Sequence, residues 1–91
     1  MEKEIPERLR NFVAIDVEYA DNQQNICQFG LAVVRSLRIV EQRCWNIQPP
    51  GNRYDEVFTR THHMTAADTI GAPTFREVWP EIEAYLSGQH I

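Results

Sequence analysis

The alternation of apolar and polar residues in the first half of the chain predicts three β-strands. They are residues 12–18 (FVAIDVE), 26–35 (ICQFGLAVVR) and 39–48 (IVEQRCWNIQ). Polar residues 20–25 link the first two, and a short turn near Ser36 and Leu37 links the others, so the strands form an antiparallel meander. The prolines at 49–50 end the third strand because proline lacks an N–H for the sheet. A loop is expected over residues 51–61.

The second half of the chain predicts helical structure. Apolar residues recur at helical spacing in a helix that opens at Thr74 and closes before Gly88. Thr74 and Glu77 have the spacing of a capping box, which satisfies the free N–H groups at a helix start. Pro80 lies beyond the first turn, where it predicts a kink or a restart of the helix. A shorter helical turn is expected over residues 65–70.

Length and composition favour one small α/β domain. Residues 1–11 read as a polar lead-in, with regular structure beginning at Asn11, and residues 12–91 as the domain itself. The 91 residues are 43% hydrophobic and 24% charged, which is ordinary for a folded chain. We expect a cytoplasmic protein without a membrane partner, because no apolar run reaches the length of a membrane span.

The net charge argues against one class of nucleic-acid-binding protein but is compatible with another. A net charge of −4 argues against a protein that binds nucleic acid by neutralising many phosphates. It does not argue against a nuclease that uses metal ions, because carboxylates hold the ions and the ions supply the positive potential.

Cysteines and aromatic residues are assigned to the core. Cys27 and Cys44 lack the spacing of a metal motif and fall in strands, so buried free thiols are favoured over a disulfide or a zinc site. Trp45, Phe75 and Trp79 follow strand or helix periodicity, which favours core packing over stacking on bases.

Two carboxylates close the first strand and are the strongest candidates for chemistry. Asp16 and Glu18 share one strand face with Phe12 and Ala14, with Cα atoms about 6.6 Å apart. Their repulsion of roughly 2.5 kcal/mol at an effective dielectric of about 20 would be reversed by a cation. Carboxylate oxygens suit Mg²⁺ or Mn²⁺. The alternative is that the pair is only the polar end of a half-exposed strand.

The order of these segments resembles the DnaQ-like (DEDD) family of 3′→5′ exonucleases. The matching runs, in order over residues 12–91, are FVAIDVEYA, ICQFGLAVV, NIQPPG, THHMT and APTFREVWPEIEAYLSG. The resemblance implies an RNase H-like fold, represented here by its first half. It also implies two Mg²⁺ or Mn²⁺ ions and hydrolytic removal of nucleotides from a 3′ end of DNA or RNA.

The resemblance assigns the catalytic metal ligands and one contact region. Asp16 and Glu18 match the family's D-x-E motif and are implied to bind the metal ions. Tyr19 stands where the family often has threonine, so the usual hydroxyl contact to the terminal nucleotide changes. The backbone around Tyr19 and Ala20 is still implied to approach that nucleotide.

A second contact region is implied by the segment His62-His63-Met64-Thr65. Family members carry a loop of the form H-G-I-T, whose histidine and apolar residue pack around the terminal nucleotide. His62 and Met64 match these two positions, and His63 replaces the glycine. The alternative for His62 is an ordinary surface histidine.

Two further motifs of the family do not occur in these residues. They are an aspartate near a fourth strand and an H-x-x-x-x-D helix whose histidine is the general base. We therefore expect the chain to be the N-terminal half of such a domain and inactive alone. The alternative is a non-catalytic module for protein or nucleic-acid interaction. Without a fourth strand beside residues 12–18, we expect a homodimer through the exposed edge.

Overall fold

The computed structural model describes residues 4–91 and contains a three-stranded antiparallel sheet followed by helices. The strands are β1 (Phe12–Tyr19), β2 (Ile26–Arg35) and β3 (Arg38–Asn46), in the spatial order β1-β2-β3. The predicted meander is confirmed. The turn between β2 and β3 consists of Ser36 and Leu37, both with positive φ, which matches the twist of a two-residue hairpin.

Four helices accompany the sheet. They are α1 (Glu7–Arg10), α2 (Glu56–His62), α3 (Ala66–Thr69) and α4 (Phe75–Leu86), and a short 3₁₀ turn covers Pro50–Asn52. Regular structure thus begins before Asn11, within the lead-in. None of the helices in residues 4–91 is long and apolar enough to cross a membrane.

The loop predicted over residues 51–61 is wrong, because α2 occupies its second half. This helix has no side-chain hydrogen bond at its N-cap Asp55 and no buried residue. Its sequence has residue types typical of helix ends, Asp55 at the N-cap, Glu56 in the first turn and Arg60 in the last, but it lacks the buried apolar stripe of α4.

The helix predicted from Thr74 and the short helical turn predicted over residues 65–70 are both confirmed. Thr74 and Glu77 form a complete capping box at the start of α4, and Thr65 and Asp68 form another at α3. α4 continues through Pro80 as one helix, so the predicted restart does not occur.

The core lies between α4 and one face of the sheet. Its buried members are Val13, Phe29, Leu31, Val33, Trp45, Ile47, Val78 and Ile82. Trp45 is 8% exposed, and Phe75 packs against this cluster, as predicted. The core assignment of Trp79 is wrong, because its side chain is 37% exposed. Its ring lies against that of Phe75, with the two ring centroids 5.6 Å apart.

Both cysteines are free thiols, but only one of them is buried. Cys27 is fully buried and Cys44 is exposed. The prediction is wrong for Cys44 because this residue pairs with Gly30, and α4 packs on the opposite face of the sheet. A strand position is buried only where something covers its face.

Candidate functional site

The two candidate metal ligands lie on the sheet face opposite α4. Asp16 pairs with Gly30 and Glu18 with Gln28 in the antiparallel register. Asp16 is exposed, and Glu18 is half-buried. Small residues beside Asp16, among them Ala14 and Ala32, leave a shallow trough of about 410 Å³ along this face. The predicted common face for the acids is therefore confirmed, and solvent reaches it.

The donor atoms fit a weakly held, hard divalent cation. Asp16 and Glu18 together offer four carboxylate oxygens on one face, and Mg²⁺ is commonly bound by one or two carboxylates with water or phosphate oxygens as the other ligands. Within residues 4–91, no group of three or more His, Cys, Asp or Glu side chains could hold a metal ion. A cation bound here would depend on the acid pair alone.

A β-bulge follows directly after the acids. Glu18 pairs with Gln28 but Tyr19 pairs with Ile26, so Cys27 is the extra residue in β2. Ile26 packs against the core beneath α4, whereas Cys27 joins Ala20 and Met64 in a separate buried cluster. The bulge thus turns the Cys27 side chain away from the α4 core, as bulges next to functional sites often do.

Three consecutive carbonyl groups at the end of β1, those of residues 18–20, have side-chain or loop partners. The Cys27 thiol donates to the first at 3.5 Å. The Nε2 atom of His62 lies 2.8 Å from the second. The backbone N–H of Asp55 donates to the third at 2.8 Å. The backbone that follows the acid pair is therefore held by β2, by α2 and by the residue that precedes α2.

The hydrogen bonds of His62 determine which ring nitrogen carries the proton. The backbone N–H of Met64 lies 3.0 Å from Nδ1, and an amide can only donate, so Nδ1 is unprotonated. Nε2 therefore carries the hydrogen and donates it to the Tyr19 carbonyl oxygen. Both nitrogens of this half-buried ring are engaged by the backbone.

A hydrogen-bonded chain fixes the surroundings of His62. The Tyr54 ring meets the His62 ring edge-on, with centroids 6.3 Å apart. The Thr69 hydroxyl donates to the Asn52 side chain at 2.7 Å, so the Tyr54 hydroxyl donates to Thr69, also at 2.7 Å. Burial raises the pKa of Tyr54 to about 12. Tyr54 is therefore neutral near pH 7 and stays in its role as donor.

Sulfur atoms near His62 form a packed cluster and not a free ligand set. The Cys27 sulfur lies 3.9 Å from both His62 Nε2 and the Met64 sulfur. Such atoms suit soft metal ions. However, both nitrogens of His62 already bind backbone groups, and burial raises the pKa of the Cys27 thiol. We therefore assign this cluster to packing.

The structure brings the sequence-predicted site residues to one end of β1. Tyr19 and His62, which are 43 positions apart, are joined directly by a hydrogen bond. Tyr19 and His62 are half-buried, while Ala20 and Met64 are buried. Their contact with a nucleotide stays a prediction.

Sequence reasoning missed two residues of this region, Cys27 and Tyr54. Cys27 sits in an apolar strand and was assigned to the core, and only the bulge turns it toward the site. Tyr54 lies in a segment without periodicity, so no pattern signalled its packing on His62.

Comparison with known proteins adds no family assignment. No family model matches the chain, and no curated protein matches it.

Proposed function

We propose that this chain carries the first metal-binding motif of a DnaQ-like 3′→5′ exonuclease domain with an RNase H-like fold. One observation supports the proposal most. The segment containing His62 and Met64, matched to the family only through sequence, docks directly on Tyr19, next to the D-x-E pair. Motifs that act on one terminal nucleotide have to meet in space, and these two do.

In this proposal, Asp16 and Glu18 bind Mg²⁺ or Mn²⁺ through their carboxylates, with two ions in the complete domain. When bound, such ions activate water and stabilise the leaving oxygen of a phosphodiester. The half-exposed Tyr19 and His62 contact the terminal nucleotide, while the buried Ala20 and Met64 form the floor beneath them. The substrate is a 3′ end of DNA or RNA.

Hydrolysis also requires a general base, and His62 is a poor candidate. Its Nδ1 already accepts a hydrogen bond from Met64, and its Nε2 donates to Tyr19. A base must have a free acceptor within reach of the attacking water. The base and the third acid therefore have to come from outside the site that residues 4–91 build.

Mn²⁺ titration followed by NMR tests the metal site. We expect paramagnetic broadening to remove the amide signals of residues 16–18 first, with an affinity in the millimolar range. Asp16→Ala should abolish this selectivity because it removes one of two ligands. Glu83→Gln, which removes an exposed carboxylate on α4, serves as the matched control and should leave the pattern unchanged. Broadening that starts elsewhere, or that survives Asp16→Ala, would show that the assignment is wrong.

We also expect no measurable nuclease activity from this chain alone. Loss of a general base typically costs 10²–10⁴-fold in rate, and a metal ligand is absent from the site as well. The measurement is Mg²⁺-dependent trimming of a labelled oligonucleotide. EDTA-sensitive trimming that disappears in Asp16→Ala would contradict the expectation and show that another chain completes the site.

A non-catalytic binding module is the second candidate. The observation that favours it is the acid pair without a third ligand within residues 4–91. Binding of labelled single-stranded nucleic acid that is unaffected by EDTA and by Asp16→Ala would favour the module over the nuclease.

A further inference from the structure

We propose that His62 is a positioning residue that acts on the metal site through the backbone of β1. It holds the Tyr19 carbonyl, which belongs to the peptide between Tyr19 and Ala20, and so restrains the backbone just after Glu18. This restraint helps to keep the Glu18 carboxylate on the same face as Asp16. The inference rests on the proposed metal site and deepens it.

The need for such a residue follows from the bulge at Cys27. Regular pairing of β1 with β2 shifts between Glu18 and Tyr19, so the regular ladder ends directly after Glu18. A bulge locally disrupts the ladder and bends the strand. At this point the side chains of His62 and Cys27 bind the carbonyl groups of residues 19 and 18.

His62 is suited to this role because its ring has one tautomer and one orientation. The Met64 N–H fixes Nδ1 as an acceptor, and Nε2 is left as the donor to Tyr19. The Tyr54 ring stands edge-on against the imidazole, and the Tyr54 hydroxyl binds the fully buried Thr69. A donor held in this way restricts the carbonyl that it binds.

The effect on metal binding follows from the exposure of the acid pair. Glu18 is only half-buried, and no hydrogen bond holds its carboxylate within residues 4–91, so its direction depends on the backbone. Partners that orient metal ligands typically contribute 10–100-fold to metal affinity. Freeing the Tyr19 carbonyl should therefore weaken Mn²⁺ binding without any change to a ligand.

Three substitutions at His62 test the proposal by Mn²⁺ titration of the whole chain. His62→Ala removes both hydrogen bonds and should weaken Mn²⁺ binding roughly 10-fold. His62→Gln can place an amide N–H where Nε2 lies and should restore most of the affinity. His62→Asn ends near the position of Nδ1, cannot reach Tyr19, and should not restore it.

Val78→Ala is the control for lost stability. Val78 is a buried residue of α4 and packs in the core, on the sheet face opposite the acids. Its truncation should lower the thermal midpoint as much as His62→Ala does, or more, yet leave Mn²⁺ affinity unchanged. A purely structural role for His62 would make the two variants behave alike.

The outcomes separate this inference from the function on which it rests. Equal Mn²⁺ affinity of His62→Ala and wild type, with binding lost in Asp16→Ala, overturns the positioning role and leaves the metal site standing. The same holds if Val78→Ala weakens binding equally. Absence of Mn²⁺ binding by the wild type overturns the proposed function, and this inference with it.

Discussion

At the residue scale, His63 occupies a backbone conformation that favours glycine. It follows the last residue of α2 and has φ of 64°, in the left-handed region, where its N–H bonds back to the Thr59 carbonyl. Glycine is the usual residue at such a helix end because it has no Cβ to clash. The glycine of the H-G-I-T pattern that the segment resembles would fall at this position.

His63→Gly should therefore stabilise the protein. Left-handed backbone costs an L-residue about 1–2 kcal/mol, and glycine returns roughly 0.5–1 kcal/mol of this as entropy of the unfolded chain. We expect the free energy of unfolding in urea to rise by about 0.5–1 kcal/mol. His63→Ala, which keeps a Cβ, is the control and should bring no gain. A lower stability of His63→Gly would mean that the His63 side chain makes a contact that outweighs the strain.

At the element scale, α4 shows a strong helix signal outweighing a helix breaker. Its capping box at Thr74 and its buried residues Val78 and Ile82 hold the helix on the sheet. Pro80 lies on the exposed side of the same helix. The proline removes the hydrogen bond that position 80 would donate to the Arg76 carbonyl, but it breaks no core contact. Packing on both sides of the proline therefore keeps α4 continuous.

Pro80→Ala should increase stability for the same reason. Proline in a helix interior is about 3 kcal/mol less favourable than alanine, and part of that is offset by the stiffer unfolded chain. We expect a gain of about 1–2 kcal/mol in the free energy of unfolding. Chemical denaturation measures it, and Glu83→Ala, an exposed residue of the same helix, is a control for removing a surface side chain. No gain would show that α4 is already relaxed around the ring.

At the scale of the whole molecule, the outer edge of β1 is the surface where backbone groups lack a partner strand within residues 4–91. Among the strands that the structure describes, β1 pairs with β2 alone, and the Val13 N–H on the other side bonds to the His90 carbonyl at 2.8 Å. Because strand residues alternate, the N–H groups of Ile15 and Val17 point the same way as that of Val13. No strand within residues 4–91 pairs with them, and Ile15 is 44% exposed. Such an edge is a template for another strand.

We expect the chain to self-associate through this edge, as a two-fold dimer. Light scattering at about 100 µM should show a mass above that of one chain, since unpaired edges associate. Ile15→Lys, which puts a charge on the edge, should restore the monomer. Hydrogen exchange of Val13, Ile15 and Val17 gives a second measure, because of these three amides only that of Val13 has a partner within residues 4–91. A strict monomer with all three amides protected would contradict the prediction.

The sequence by itself determined the features that depend on neighbouring residues. Strand alternation placed Asp16 and Glu18 on one face, and the capping box at Thr74 located the start of α4. These outcomes follow from local geometry, namely the two-residue repeat of a strand and the unsatisfied N–H groups of a helix start. Contacts with distant parts of the chain rarely override such local geometry.

Only the tertiary structure decided the features that depend on which distant surfaces meet. α2 forms without a side-chain capping hydrogen bond at its start or a buried stripe, Cys44 stays exposed because α4 covers the other face, and Cys27 turns toward the site at the bulge. The hydrogen bond from His62 to Tyr19 joins residues 43 positions apart. Burial and long-range hydrogen bonds are properties of the packed chain, and no local pattern encodes which segments will pack together.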